Sequence, residues 1–288
     1  MKRILQIQLA LLTGLFVILQ ANVEAAPPAG ERVFVIAHSF HIFVAGRLKP
    51  IVEAAGISGH QVVGFQVLGS SRVLQHWHLP DDQNRAKTAL REGKVDVLTM
   101  SPNWIVPDEG IENFVHLGLQ TNPKLRVLVQ ESWIPWDGWL HEEKVADNAA
   151  RDQRSLDIVR RATVRFKQQL EPQLRALNEQ LGREVVQVVP VADAVLALRE
   201  LVAMGRVPGI ANQSDLFIDQ IGHGGAAVQM IATYCNFASL YRSSPVGLAD
   251  VTPELDTISP ELKPLLQRLA WEAVVSHPLA GVKADAKP

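Results

Sequence analysis

Ser39, Asp219 and His223, with Gly69 and Asn103 between them in the chain, are residue types that nucleophilic acyl transfer needs. A serine on the turn after a strand exposes its Oγ and sets its own N–H beside a developing oxyanion. A histidine can take the hydroxyl proton, and a carboxylate can hold the imidazole in the tautomer that accepts it. His223 could be that base and Asp219 its partner. Gly69 could let a backbone N–H approach the oxyanion with no side chain in the way. The Asn103 amide could add another donor, and one such donor is worth about 2.7–4 kcal/mol of transition-state stabilisation. Each residue also has a plainer use. Ser39 could cap a helix, Asp219 could complement a helix dipole, His223 could pack at a helix start, and Gly69 and Asn103 could be turn residues. Their place in the fold decides between these uses.

Five apolar, β-branched runs read as strands, at 32–37, 61–68, 95–100, 125–130 and 185–189. Helical segments are expected at 42–55, 80–93, 107–119, 155–181, 192–204, 224–241 and 261–275. The clearest is 155–181, where Leu156, Val159, Phe166, Leu170, Leu174, Leu177 and Leu181 form an apolar stripe and Gly182 stops the helix. Pro50 predicts a break or kink in the first helix, and Pro172 a bend in the long one. Strands alternating with helices predict a largely parallel sheet covered on both faces. Ligands of such sheets sit at the carboxyl ends of the strands. Ser39 follows the first strand, Gly69 the second and Asn103 the third, and Asp219 and His223 precede a late helix.

Other candidates share those strand ends. His38 and His41 flank Ser39 and could line a pocket or fill the edge of the core. His76 and His78 would share one face of a strand and, with His38 and His41, could suggest zinc. No acidic or cysteine partner stands at convincing spacing, so neither a metal nor another cofactor is expected. Trp77, Trp104, Trp133, Trp136 and Trp139 all follow predicted strands. Core packing accounts for one or two of them. The others, Trp77, Trp104 and Trp133 first among them, could form an aromatic wall for a sugar or an acyl group.

The first residues have the three parts of an export signal: basic Lys2 and Arg3, an apolar run over 4–19, and the small-residue exit Val23-Glu24-Ala25. The run is shorter than a membrane span and broken by polar residues, so cleavage after Ala25 is expected rather than a stable anchor. That places the mature chain in the periplasm or outside the cell. It leaves 263 of the 288 residues, enough for one large core. Residues 26–31 and 281–288 read as terminal tails around a domain at 32–280. The single cysteine, Cys235, excludes an internal disulfide. A formal charge of −2 without a basic run argues against a nucleic-acid partner.

The order of blocks resembles the SGNH (GDSL-like) hydrolases. The resemblance is carried by Ala37-His38-Ser39-Phe40, then Ala54-Ala55-Gly56, Gly69, Asn103, and Asp219 with His223. It points to the branch with a Ser-Phe first block and a second block running into His-Trp, here Gly69 to His76-Trp77, and extends through Tyr241-Arg242-Ser243-Ser244-Pro245-Val246-Gly247. The resemblance implies a three-layer α/β/α flavodoxin-like sandwich on a mainly parallel five-stranded sheet, no metal, and hydrolysis of a small acyl ester, such as an acetylated glycan, through an acyl-enzyme. It makes Ser39 the nucleophile, Ser39, Gly69 and Asn103 the oxyanion donors, and Asp219 and His223 the supporting pair. The sequence departs from the family at three points. His38 replaces an acid or asparagine, Pro102 stands where a glycine precedes the asparagine, and the late pair is Asp-x-x-x-His, one residue longer than usual. A turn at Gly222 could absorb that residue; otherwise Asp215 or a backbone carbonyl would orient His223. The alternative from another class is a catalytically silent relative that binds a glycan or partner through a tryptophan-lined face.

Overall fold

The computed structural model describes residues 26–257 and 259–283. The expected signal segment lies outside the described residues, as does the C-terminal tail beyond residue 283. The strands form one sheet: β1 (Arg32–Ala37), β2 (Gln61–Val67), β3 (Val97–Met100), β4 (Arg126–Gln130) and β5 (Val186–Val189). Their order is β2-β1-β3-β4-β5, and every pairing is parallel. Period-two alternation sends Val33, Val35 and Ala37 into one apolar layer and Phe34 and Ile36 into the other. Both faces of the inner strands are therefore buried, as a parallel sheet requires, while Phe65 and Val67 on the edge strand β2 stay exposed.

Helices α1 (Val44–Ala54), α6 (Val191–Ala203), α7 (Ala226–Tyr241) and α8 (Leu262–Ser276) cover the first face. Helices α2 (Val73–Trp77), α3 (Arg85–Arg91), α4 (Glu109–Thr121) and α5 (Leu156–Leu181) cover the second. The result is the three-layer α/β/α sandwich. The stripe of α5 does what its spacing dictates: Val159, Phe166, Leu170, Leu174 and Leu177 are buried, and Gly182 caps the helix at φ 66°. Among the described residues, no helix is long and apolar enough to cross a membrane.

Helix α1 runs through Pro50 without a break. Two local expectations change. The helix expected from residue 80 starts at Arg85, because the Asn84 side chain accepts the Lys87 N–H and caps it there. Residues 73–77, given no element from the sequence apart from the strand reading of His76 and His78, form α2, whose first N–H groups at Val73 and Leu74 donate to the buried carboxylate of Asp108. Strand β1 lies between β2 and β3, so the chain order reverses beside it. The crevice at that switch point, beyond the carboxyl ends of β1 and β3, is where an open α/β sheet binds ligands.

Candidate active site

Ser39 occupies that crevice. It is exposed on the turn between β1 and α1, while its neighbours His38 and Phe40 are buried. The His38 ring staples the turn. Its Nδ1 accepts the Phe40 N–H at 3.1 Å, so its proton sits on Nε2, which faces the Pro102 carbonyl at 3.3 Å and Ser101 Oγ at 3.2 Å. A second brace lies below. His41 Nδ1 donates to Gln130 Oε1 at 2.8 Å, and Gln130 Nε2 donates to the Phe40 carbonyl at 2.9 Å and to Ser132 Oγ at 2.8 Å. Thr99 Oγ1 closes on His41 Nε2 at 3.0 Å. Burial disfavours the imidazolium and pushes both His38 and His41 down to about 4.

His223 approaches from the loop before α7. His223 Nε2 lies 2.8 Å from Ser39 Oγ, and His223 Nδ1 lies 2.5 Å from Asp219 Oδ2. The carboxylate fixes the proton on Nδ1 and leaves the Nε2 lone pair for the serine hydroxyl. The Phe40 ring stands edge-on to the imidazole, centroids 5.3 Å apart, and stacks on Trp133 at 4.6 Å. The extra residue of the Asp-x-x-x-His spacing is absorbed at Gly222, whose φ of 96° only glycine adopts readily. That turn lets Asp219 Oδ1 accept the N–H groups of Gly222 at 2.9 Å and His223 at 3.1 Å. Burial pushes the Asp219 carboxyl up, but hydrogen bonds from the His223 ring and these two backbone groups outweigh it and hold the carboxyl below its ordinary value. Asp215 does not orient His223; its carboxylate accepts the N–H groups of Ala211 and Asn212.

Beside Ser39 opens a recess of about 420 Å³, its mouth included, walled by Phe40, Trp104, Trp133, Ile134, Phe166 and Ile221. Asn103 lines it. Its Oδ1 accepts the Ile105 N–H at 2.9 Å and its Nδ2 donates to the Ser70 carbonyl at 2.9 Å, which leaves one amide hydrogen for a substrate. From the turn after β2 it is Ser70, at φ 50°, that reaches the recess; Gly69 stands outside the lining. A Cβ at Gly69 would meet nothing within 4 Å, so close approach does not demand glycine there.

The remaining candidates divide. His38, Trp104 and Trp133 line the recess, whereas His41 lies beneath it, fully enclosed by its hydrogen bonds. Trp77 belongs to α2 and packs edge-on against Phe114 with Lys87 over its ring, away from the recess. Trp136 and Trp139 carry the cations of Lys144 and Arg165 over their rings. The aromatic wall is thus smaller than the tryptophan count suggests. His76 and His78 do not share a strand face either: His76 is in α2, buried, and bonded to Ser71 Oγ at 2.8 Å, and His78 caps the helix. The wall residues Ile134 and Ile221 sit in loops without periodicity and carry no sequence signal, and the stripe of α5 pointed Phe166 wholly to the core.

Among the described residues, the group converging at metal-ligand distance lies elsewhere: Glu131, Glu171 and His277. His277 Nδ1 accepts the Leu279 N–H at 3.2 Å, which keeps the ring proton on Nε2, the nitrogen that faces the carboxylates. Lys167 already stands 3.9 Å from both acids. Glu171 meets Lys167 and His277 and ties α5 to the end of α8, with the buried Glu131 beside them.

No family model matches the chain, and no curated protein matches it. Among solved structures it is similar to a DUF4886 family protein from Bacteroides uniformis, at 13% identity and a TM-score of 0.56, covering 86% of this chain and 95% of that one. That likeness shows a shared fold. A candidate SGNH hydrolase from Slackia heliotrinireducens superposes at a TM-score of 0.40 and 12% identity, covering 73% and 99% of the two chains. A candidate GDSL-like lipase from Parabacteroides merdae does so at 0.33 and 12%, covering 85% and 96%. The latter two superpose too loosely to bear on the site.

Proposed function

We propose that the chain is a serine ester hydrolase acting on a small acyl ester through an acyl-enzyme. One observation carries the reading: Ser39 Oγ, His223 and Asp219 stand in a continuous hydrogen-bonded relay, with distances of 2.8 and 2.5 Å, at the mouth of an apolar recess. His223 Nε2 takes the Ser39 proton as Oγ attacks the ester carbonyl. The negative charge that develops on the carbonyl oxygen is met by the Ser39 N–H, the free Asn103 amide hydrogen and the backbone of the 69–70 turn. His223 then protonates the leaving alkoxide, and the acyl group stays on Ser39. A water molecule, giving its proton to His223, attacks the acyl carbon; collapse returns the proton to Ser39 and frees the acid.

The recess is narrow and closed in by large side chains, which favours a short acyl group. The alcohol we take to be a glycan hydroxyl, with the partly buried Trp104 ring as the aromatic surface offered to a sugar. We take residues 32–280 as the catalytic domain and 1–25 as an export signal, so that the enzyme meets its substrate outside the cytoplasm. The test is hydrolysis of short-chain p-nitrophenyl esters by the wild type beside Ser39→Ala. Activity that disappears with the hydroxyl supports the reading, and equal activity in both proteins ends it.

A further inference from the structure

We propose that Arg151 is a positioning residue for the Ser39–His223–Asp219 relay, acting through the backbone of the turn that carries the acid and the base. The proposal rests on the esterase reading above. Arg151 is fully buried, on the 3-10 turn 149–153, far in sequence from every catalytic block. Its guanidinium spends its donors on that turn: NH1 donates to the Asp219 carbonyl at 2.7 Å and NH2 to the Gln220 carbonyl at 2.7 Å. NH1 also reaches Asn148 Oδ1 at 2.6 Å, and Nε reaches Asp137 Oδ1 at 3.3 Å. The Phe217 ring, at the start of the same loop, packs against the guanidinium at 4.8 Å. Gly222 leaves the space the guanidinium needs, since a Cβ there would lie 2.9 Å from NH2.

The charge count separates this role from a fold-holding ion pair. Asp137 is buried at φ 57° and is already matched by Arg199, which binds it through two nitrogens at 2.9 and 2.6 Å. One carboxylate therefore serves two buried guanidinium groups. A buried charge is tolerated only when its hydrogen bonds are satisfied. For Arg151 two of its four hydrogen bonds, and the two to main-chain carbonyls, come from the 219–220 turn. The coupling runs both ways: the turn neutralises the donors of Arg151, and the planar guanidinium fixes two successive carbonyls and hence the direction of the Asp219 side chain. Arg151→Met leaves the Asp137–Arg199 pair balanced, so the fold is expected to survive while the turn loses its anchor.

The experiment is p-nitrophenyl acetate hydrolysis by the full chain, comparing wild type, Arg151→Met, Asp219→Ala and the double variant, with thermal melts alongside. Arg151→Met is expected to lower kcat by about 100-fold, as a misplaced catalytic group does, with KM held within about twofold. Because Arg151 acts through Asp219, the same substitution in the Asp219→Ala background is expected to cost little more, the non-additivity of groups in one network. Guanidinium chloride at non-denaturing concentration is expected to restore part of the activity of Arg151→Met and none in the double variant. If Arg151→Met fails to fold, Arg151→Lys, which keeps the charge but not the fork, should fold with an intermediate kcat. Full kcat in a folded variant, or an equal loss in both backgrounds, overturns the proposal. Hydrolysis that survives Ser39→Ala is a separate result: it removes the esterase reading and the proposal with it.

Discussion

The indole N–H of Trp133 donates to the carbonyl of Gly222 at 2.7 Å. Trp133 closely follows β4 and walls the recess, and Gly222 is the residue whose left-handed backbone brings His223 to Ser39. The pocket wall and the base are therefore held by one bond, and two more run parallel to it: the Trp136 N–H donates to the Ile221 carbonyl at 2.8 Å, and Gln220 Nε2 donates to the Val145 carbonyl at 3.0 Å. The loop after β4 and the loop before α7 act as one unit around the relay.

Gly222 is the weakest point of that unit to substitution. A side chain at φ 96° is strained, and its Cβ would press on Arg151. Gly222→Ala is expected to cost about 1–3 kcal/mol of stability and to lower kcat more than it raises KM. Thermal melts and steady-state kinetics on one ester check both. An unchanged melt with unchanged kcat would show that the turn does not control the base.

Asp219→Asn tests the tautomer argument. The amide would present an N–H to His223 Nδ1 and move the ring proton to Nε2, away from where the serine needs a lone pair. A fall in kcat of about 10³–10⁴-fold is expected with the fold intact. A loss below tenfold would mean that another group sets the ring.

The sheet was legible because the strands are short apolar runs rich in β-branched residues, buried in β1, β3, β4 and β5; all five fall within two residues of the expected bounds. Ser39 and Asn103 were legible because they follow strands that flank the switch point, a rule of the fold rather than of the residues. Arg151, Asp137 and Ile221 were not legible. They lie in aperiodic loops, and their meaning comes from contacts across 68 positions of sequence, as between Arg151 and Asp219. Trp77 misled for a related reason: it sits beside a strand end, but the helix nucleated on Asp108 turns it towards Phe114.

Asn103→Ala removes the side-chain donor proposed for the oxyanion. A drop in kcat of about 10²–10³-fold with little change in KM is expected, because the bond strengthens only as charge develops. A change confined to KM would make Asn103 a ground-state contact.

Acid is expected to destabilise the protein. Burial holds His38, His41 and His76 down to about 4, below their ordinary value near 6.5. The unfolded chain binds those protons first, so the contribution is complete above about pH 6.5 and is lost as pH falls towards 4. Glu131, raised to about 8 by burial, runs the other way, as do Glu31 and Asp108, also raised by burial, while His60 and His277, lowered by burial, add to the three rings. Melting temperatures taken between pH 7 and 4.5 should fall; a flat or rising profile would show that the three rings are not buried neutral.

The most direct measurement is the mass of the protein after treatment with a fluorophosphonate, with peptide mapping of the adduct, for the wild type, Ser39→Ala and His223→Ala. An activated serine gives one covalent adduct, on Ser39, in the wild type, none in Ser39→Ala, and greatly slowed labelling in His223→Ala. No adduct on a folded wild type, or an adduct that persists in Ser39→Ala, would contradict the assignment of Ser39 as the nucleophile.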